Sequence, residues 1–176
     1  LMQRITSRIQ AVLGTGLLFC LFLSGVMGCE KDDICVDGDT PLLVIKFYDI
    51  QAPETSKAVS SLRVIGLGQE DPVDTFADQS DLDSIALPLR PEQEETTFIL
   101  ILDSDEEEGV ETGNADTLQF SYNTQGAFIS RACGFVANYD DLNSRLEPDT
   151  LNWIQNVEVI NSTVQTQDTT HVSIFH

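Results

Sequence analysis

From Thr117 to Asn123 the chain alternates without a break. Leu118, Phe120 and Tyr122 are apolar, and Thr117, Gln119, Ser121 and Asn123 between and around them are polar. Successive side chains of an extended strand point to opposite faces, whereas an amphipathic helix needs apolar residues three and four apart. The stretch therefore predicts a strand buried on one side. Similar signals recur along the chain. Residues 42–48 place Leu43, Ile45 and Phe47 on one face and Lys46 on the other, and residues 62–67 form a second strand closed by Gly66, Gly68 and Glu70-Asp71-Pro72. Ile85, Leu87 and Leu89 alternate in residues 83–89, where Pro88 suits an edge position. Residues 96–102 are apolar and rich in β-branched side chains, and 153–160 and 170–175 supply the last two strands. Residues 128–139 read as one strand bent at Cys133-Gly134, residues 53–57 as a loop, and the polar stretch 138–148 has room for a helical turn. Phe47, Tyr48, Phe120, Tyr122, Phe128, Phe135, Tyr139 and Trp153 mostly alternate with polar neighbours, which makes them core residues rather than a sugar-stacking surface.

Short strands separated by turn signals, with no amphipathic helix, define an all-β chain. The expected fold is an antiparallel β-sandwich over residues 41–176. About 150 residues at that end of the chain suffice for one domain, since a domain of this size buries roughly 70 % of its unfolded surface.

The other end has a different composition. Arg4 and Arg8 precede an apolar run over residues 11–26, which ends in Met27-Gly28-Cys29. A membrane span needs about 20 apolar residues, and this run falls short. A basic flank, a short apolar stretch and a small-residue exit describe a secretory leader over residues 1–28. Val26-Met27-Gly28-Cys29 resembles the lipobox of bacterial lipoproteins, with Met27 at a position more often held by Ala or Ser. Cys29 is then the lipidated residue, carrying palmitate-type chains that contribute about 0.8 kcal/mol per buried CH₂, and residues 29–40 are a tether. Cys20 leaves with the leader, so Cys35 and Cys133 remain. In an oxidising envelope two such thiols are candidates for a disulfide. The bridge would close a loop of roughly 100 residues, worth up to about 4.7 kcal/mol on the chain-entropy argument. Two buried, unlinked cysteines are the alternative. A bridge between an early and a late strand points to an immunoglobulin-like sandwich, although Trp153 follows both cysteines instead of lying between them.

Composition excludes some functions. The formal charge is −20, and it becomes more negative once Arg4 and Arg8 are removed. Nucleic-acid binding depends on Lys and Arg displacing counterions from phosphates, so no nucleic-acid partner is expected. The densest group of hard oxygen ligands is Asp103-Ser104-Asp105-Glu106-Glu107-Glu108. An EF-hand loop starting at Asp103 would need Gly at position six and Glu at position twelve, where the chain has Glu108 and Asn114. Asp103, Asp105 and Glu107 are therefore weak calcium candidates, and the segment reads as a solvated loop. His171 and His176 are the only histidines. They cannot assemble a structural zinc site, which takes about four Cys or His ligands. They are expected to point to opposite faces, with His171 exposed or hydrogen-bonded. No Ser sits on the strained turn of a nucleophile elbow. Carboxylate-pair hydrolysis needs only two acids, but nothing selects a pair. No catalytic residue and no cofactor is expected.

Cys35-Val36-Asp37-Gly38-Asp39-Thr40-Pro41, Ile45-Lys46-Phe47-Tyr48-Asp49, Phe128-Ile129-Ser130-Arg131-Ala132-Cys133-Gly134-Phe135, Asn152-Trp153-Ile154 and His171-Val172-Ser173-Ile174 together resemble a family of uncharacterised Bacteroidetes lipoproteins. The resemblance covers the chain after the leader, and Ser130–Gly134 is its most specific part. It implies an address and a fold, not a reaction. Lys31, Asp32 and Asp33 resemble the signal that sends such lipoproteins to the cell surface. The expected protein is a non-enzymatic outer-membrane lipoprotein, lipid-anchored and facing outward, that binds or braces an envelope protein or glycan. The alternatives are a calcium- or carbohydrate-dependent adhesion module and a carboxylate-based hydrolase.

Overall fold

A strand whose side chains alternate between core and solvent can be stable only against a second layer, and the chain supplies that layer itself. The computed structural model describes residues 39–176. The expected leader, Cys29, Lys31, Asp32, Asp33 and Cys35 lie outside the described residues. The strands are β1 (Leu43–Asp49), β2 (Ala52–Ser56), β3 (Val59–Gly66), β4 (Ser80–Leu82), β5 (Ser84–Leu87) and β6 (Glu95–Leu102). They continue with β7 (Glu106–Glu107), β8 (Val110–Glu111), β9 (Asn114–Ser130), β10 (Gly134–Leu146), β11 (Asn156–Val159) and β12 (Val172–Phe175). No helix occurs among the described residues.

Two five-stranded sheets result. One has the order β11-β12-β1-β2, with β5 also paired to β1, and the other runs β10-β9-β6-β3-β4. The β7–β8 hairpin stands apart as a two-stranded piece. One buried cluster joins the inward faces of both sheets. Leu43, Ile45, Phe47, Val172 and Ile174 come from the first, and Leu62, Val64, Phe98, Leu100, Leu118 and Phe120 from the second. This is the expected β-sandwich.

Several local expectations are corrected. Residues 53–57 do not form a loop: β2 turns back on β1 through Tyr48↔Ser56 and Asp49↔Ala52. Residues 138–148 hold no helical turn, because β10 runs to Leu146. Residues 128–139 are not one bent strand. The chain reverses at Arg131-Ala132-Cys133, so Phe128 faces Phe135 across a hairpin. Gly134 takes φ +73 there, a left-handed value that glycine adopts at little steric cost. The sandwich is also not wholly antiparallel, since β1 and β12 pair in parallel from Ile45↔Val172 to Tyr48↔Phe175. Strands this far apart in sequence are joined by a long path, so no tight turn forces them antiparallel.

β12 lies between β11 and β1, and all of Val172–Phe175 is buried. That position buries both His171 and His176, and of the two alternatives expected for His171, exposed or hydrogen-bonded, His171 takes the second. The two histidines are 0 % and 8 % exposed.

Candidate functional site

The long hairpin β9–β10 has two halves. β6 pairs with β9 only from Leu102↔Asn114 to Glu95↔Ser121. Beyond Ser121, β9 has β10 as its ladder partner, and the register continues through Thr124↔Tyr139, Gln125↔Asn138, Gly126↔Ala137 and Phe128↔Phe135. Period two carries the inward face of Leu118, Phe120 and Tyr122 on to Thr124, Gly126 and Phe128, past the point where the opposite sheet covers it. Phe128 is 59 % exposed, Ile129 42 % and Phe135 74 %. The two phenyl rings meet edge-on with centroids 5.3 Å apart. Reading Phe128 and Phe135 as core is therefore wrong, whereas Phe47, Phe120, Tyr122, Tyr139 and Trp153 are buried. The turn is held tightly: the Cys133 N–H donates to Ser130 Oγ at 3.0 Å, and Cys133 is disulfide-bonded. Arg131 at its apex is exposed.

The described chain starts beside this hairpin. The Ala137 N–H donates to Thr40 Oγ1 at 3.3 Å. Pro41 is buried, and β1 then runs into the first sheet. Thr40 thus lies against the distal part of β10. Sequence reasoning missed this site because alternation alone does not report where a covering sheet stops. One signal was present: from Thr117 to Tyr139 there is no Asp or Glu, in a chain with 29 of them.

The calcium candidates are placed differently. Asp103, Asp105 and Glu107 sit at or in the β7–β8 hairpin, and no group of three or more His, Cys, Asp or Glu suited to a metal ion is found among the described residues. The physical reason is local. Asp105 Oδ1 accepts the N–H of Glu106 at 2.8 Å, which ties that carboxylate to its own loop. The central carboxylate is instead Glu111. It accepts from Ser104 Oγ at 2.8 Å, from the N–H groups of Asp105 and Gly113 at 3.2 and 2.9 Å, and pairs with Arg63 at 3.1 Å. Burial pushes Glu111 up, but those donors from Gly113, Ser104 and Asp105, with Arg63, bring it below the usual carboxylate range. Arg63 also grips Asp78 at 2.9 Å, and that hydrogen bond raises its pKa further. Arg63 therefore clamps the acidic hairpin to β3.

The buried titratable groups are used inside the fold. His171 Nδ1 accepts the Val44 N–H at 3.0 Å while the His171 backbone N–H donates to Val44 O at 3.0 Å, so the imidazole completes the end of the β1–β12 ladder. Burial lowers its pKa and keeps it neutral. His176 packs edge-on against Phe47 and Trp153, with centroids 6.2 and 5.5 Å away, and burial lowers its pKa too. Asp116 is fully buried and accepts the Ile154 N–H at 2.8 Å. Burial raises its pKa against the donors around it, Ile154 first. Tyr139, pushed up to about 12 by burial, donates to Leu89 O at 3.1 Å. Tyr122 Oη and Thr96 Oγ1 lie 2.6 Å apart, and both accept the Arg90 N–H at 3.0 Å.

That last network forms one wall of a half-open cleft of about 360 Å³, lined by Gly66, Pro72, Val73, Leu89, Arg90 and Phe98 among others. The Arg90 guanidinium reaches Leu67 O at 3.3 Å and Gln93 Oε1 at 3.5 Å. The cleft suits a small ligand with an apolar face and a carbonyl or anionic edge, although Asp71 and Asp74 on its lining offset the Arg90 charge.

A family model described as a family of unknown function (DUF6452) matches residues 61–176. Comparison with curated proteins and with solved structures finds no match.

Proposed function

The chain belongs to the DUF6452 family of unknown function, and from that premise we propose that it is a bacterial lipoprotein of the Bacteroidetes type. In this reading the leader 1–28 is removed and Cys29 is acylated. The sandwich is held at the outer membrane, facing outward through the Lys31-Asp32-Asp33 signal, where it binds or braces an envelope protein or glycan without catalysing a reaction. The observation that carries the reading is Val26-Met27-Gly28-Cys29 at the end of an apolar run too short to span a bilayer. Cys35 is the proposed partner of Cys133, because of the three earlier cysteines Cys20 leaves with the leader and Cys29 carries lipid.

The non-enzymatic part is supported by how the chain spends its reactive groups. His171 caps a ladder, His176 packs among aromatic rings, and Arg63 binds Asp78 and Glu111. A general base or nucleophile must be free to reach a substrate proton or carbon, and these groups are held by the fold.

Metabolic labelling with palmitate tests the anchor. The native chain should take up label and stay in the membrane fraction, and Cys29→Ala should lose both. A Cys29→Ala protein that remains membrane-bound overturns the proposal.

A further inference from the structure

We propose that the distal half of the β9–β10 hairpin is a lipid-contacting wedge, which seats the sandwich on the same leaflet that the acyl chains enter. The inference rests on the lipoprotein reading and adds to it an orientation and a contact surface.

Chain length is the first argument. Thr40 is fixed beside Ala137, and Cys29 precedes it by eleven residues. A fully extended chain spans at most about 3.6 Å per residue, so acylated Cys29 lies within about 40 Å of Ala137 and usually much nearer. Ala137 is paired with Gly126, which is four residues from Ser130 at the tip and twelve from Asn114 at the other end of β9, or about 13 and 40 Å along a strand rising 3.3 Å per residue. A short tether therefore draws the hairpin tip toward the membrane and keeps the acidic β7–β8 end away from it. The proposed Cys35–Cys133 bridge would shorten the leash further, leaving Cys35, six residues from the acylated Cys29, linked to the turn.

Chemistry is the second. The tip exposes Phe128, Ile129 and Phe135 together, Phe128 paired with Phe135 and Ile129 standing as the extra residue where the register shifts before Ser130↔Gly134. The acid-free run from Thr117 to Tyr139 lets this part of a strongly acidic chain approach anionic headgroups, and Arg131 at the apex can keep its guanidinium among phosphates while its stem lies along apolar surface. The Arg131 guanidinium and the polar backbone of the turn favour the headgroups over the hydrocarbon, so insertion is shallow, about 5–10 Å at the headgroup boundary.

The test uses the full lipidated protein in phosphatidylethanolamine–phosphatidylglycerol vesicles whose acyl chains are brominated near the headgroup. Tryptophan is introduced singly as Phe135→Trp, Ile129→Trp and, at the far end, Leu151→Trp. Leu151 is exposed and its carbonyl is bonded to Asn114, while native Trp153 stays buried and adds a constant background. Phe135→Trp and Ile129→Trp should each lose roughly half or more of their added emission, and Leu151→Trp almost none, as a wedge of that depth requires. Vesicle-bound protein with no quenching at the tip overturns the wedge and leaves the anchor standing. Equal quenching at Leu151 overturns it too, because the body then lies on its side. Protein that fails to float with vesicles removes the anchor and the wedge together.

Discussion

The two halves of the β9–β10 hairpin share a ladder and differ in nearly everything else. The proximal half, carrying Leu118, Phe120 and Tyr122, lies inside a five-stranded sheet and under a second one, and each of those side chains is buried. The distal half keeps the alternation but loses the cover, so Phe128 and Phe135 are left with each other. An apolar side chain contributes to stability through the surface it removes from water, and the distal rings remove little. The proposed lipid contact would account for their presence. The contrast teaches that one strand can serve the core with one half and stand exposed with the other.

The sharpest way to break this comparison is to truncate one ring from each half. Phe120→Ala should destabilise the protein by about 3–5 kcal/mol through lost burial and a residual cavity. Phe135→Ala should change stability by less than about 1 kcal/mol. Urea unfolding followed through Trp153 emission measures both, and equal losses would erase the distinction between the halves.

Glycines give a smaller version of the same contrast. A Cβ on Gly113 would meet Ile101 Cγ2 at 2.5 Å, Leu102 O at 2.8 Å and Ser104 Cα at 2.9 Å, so Gly113→Ala must shift backbone next to β9. An expected loss of about 2–3 kcal/mol follows from such overpacking. At Gly134 nothing lies within 4 Å and only the φ of +73 opposes a side chain, so Gly134→Ala should lose about 1 kcal/mol. Thermal melting ranks the two, and the reverse order would show that the turn, not the packed body, limits stability.

The smallest expected effects are in pH dependence, and they belong to the body. His171 and His176 have folded pKa values below the unfolded one. They stabilise the fold fully above an unfolded pKa of about 6.5, and that stability is lost as pH falls from there through the lowered folded values. Asp116 has the opposite sign. Its pKa is raised in the fold, so its ionisation weakens the structure near neutral pH, and acidification from neutral toward the usual carboxylate range restores that part. His171→Phe should flatten the acid-side loss. Asp116→Asn, which keeps an acceptor for the Ile154 N–H, should remove the opposing gain. Melting temperatures between pH 4 and 8 check both signs, and a Phe128→Ser control in the distal half should leave the profile unchanged.

The strands and the face each one buries were legible in the sequence wherever alternation was long enough, as in residues 42–48, 96–102 and 117–123, because strand geometry has a period of two whatever surrounds it. The acidic segment was also legible as a solvated loop. Its clamp was not, since Arg63, Asp78 and Glu111 are distant in sequence and meet only when β3 and the β7–β8 hairpin come together. The proposed lipid attachment at Cys29 is likewise a reading from sequence, carried by a contiguous local pattern.

Tertiary structure alone decided the rest. It set β1 beside β12 in parallel, buried both histidines and ended the pairing of β6 with β9 at Ser121. Periodicity tells a side chain which face of its own strand it occupies. Whether that face meets another sheet or the solvent depends on where distant strands stop, and those ends are set by packing between segments that no local pattern connects.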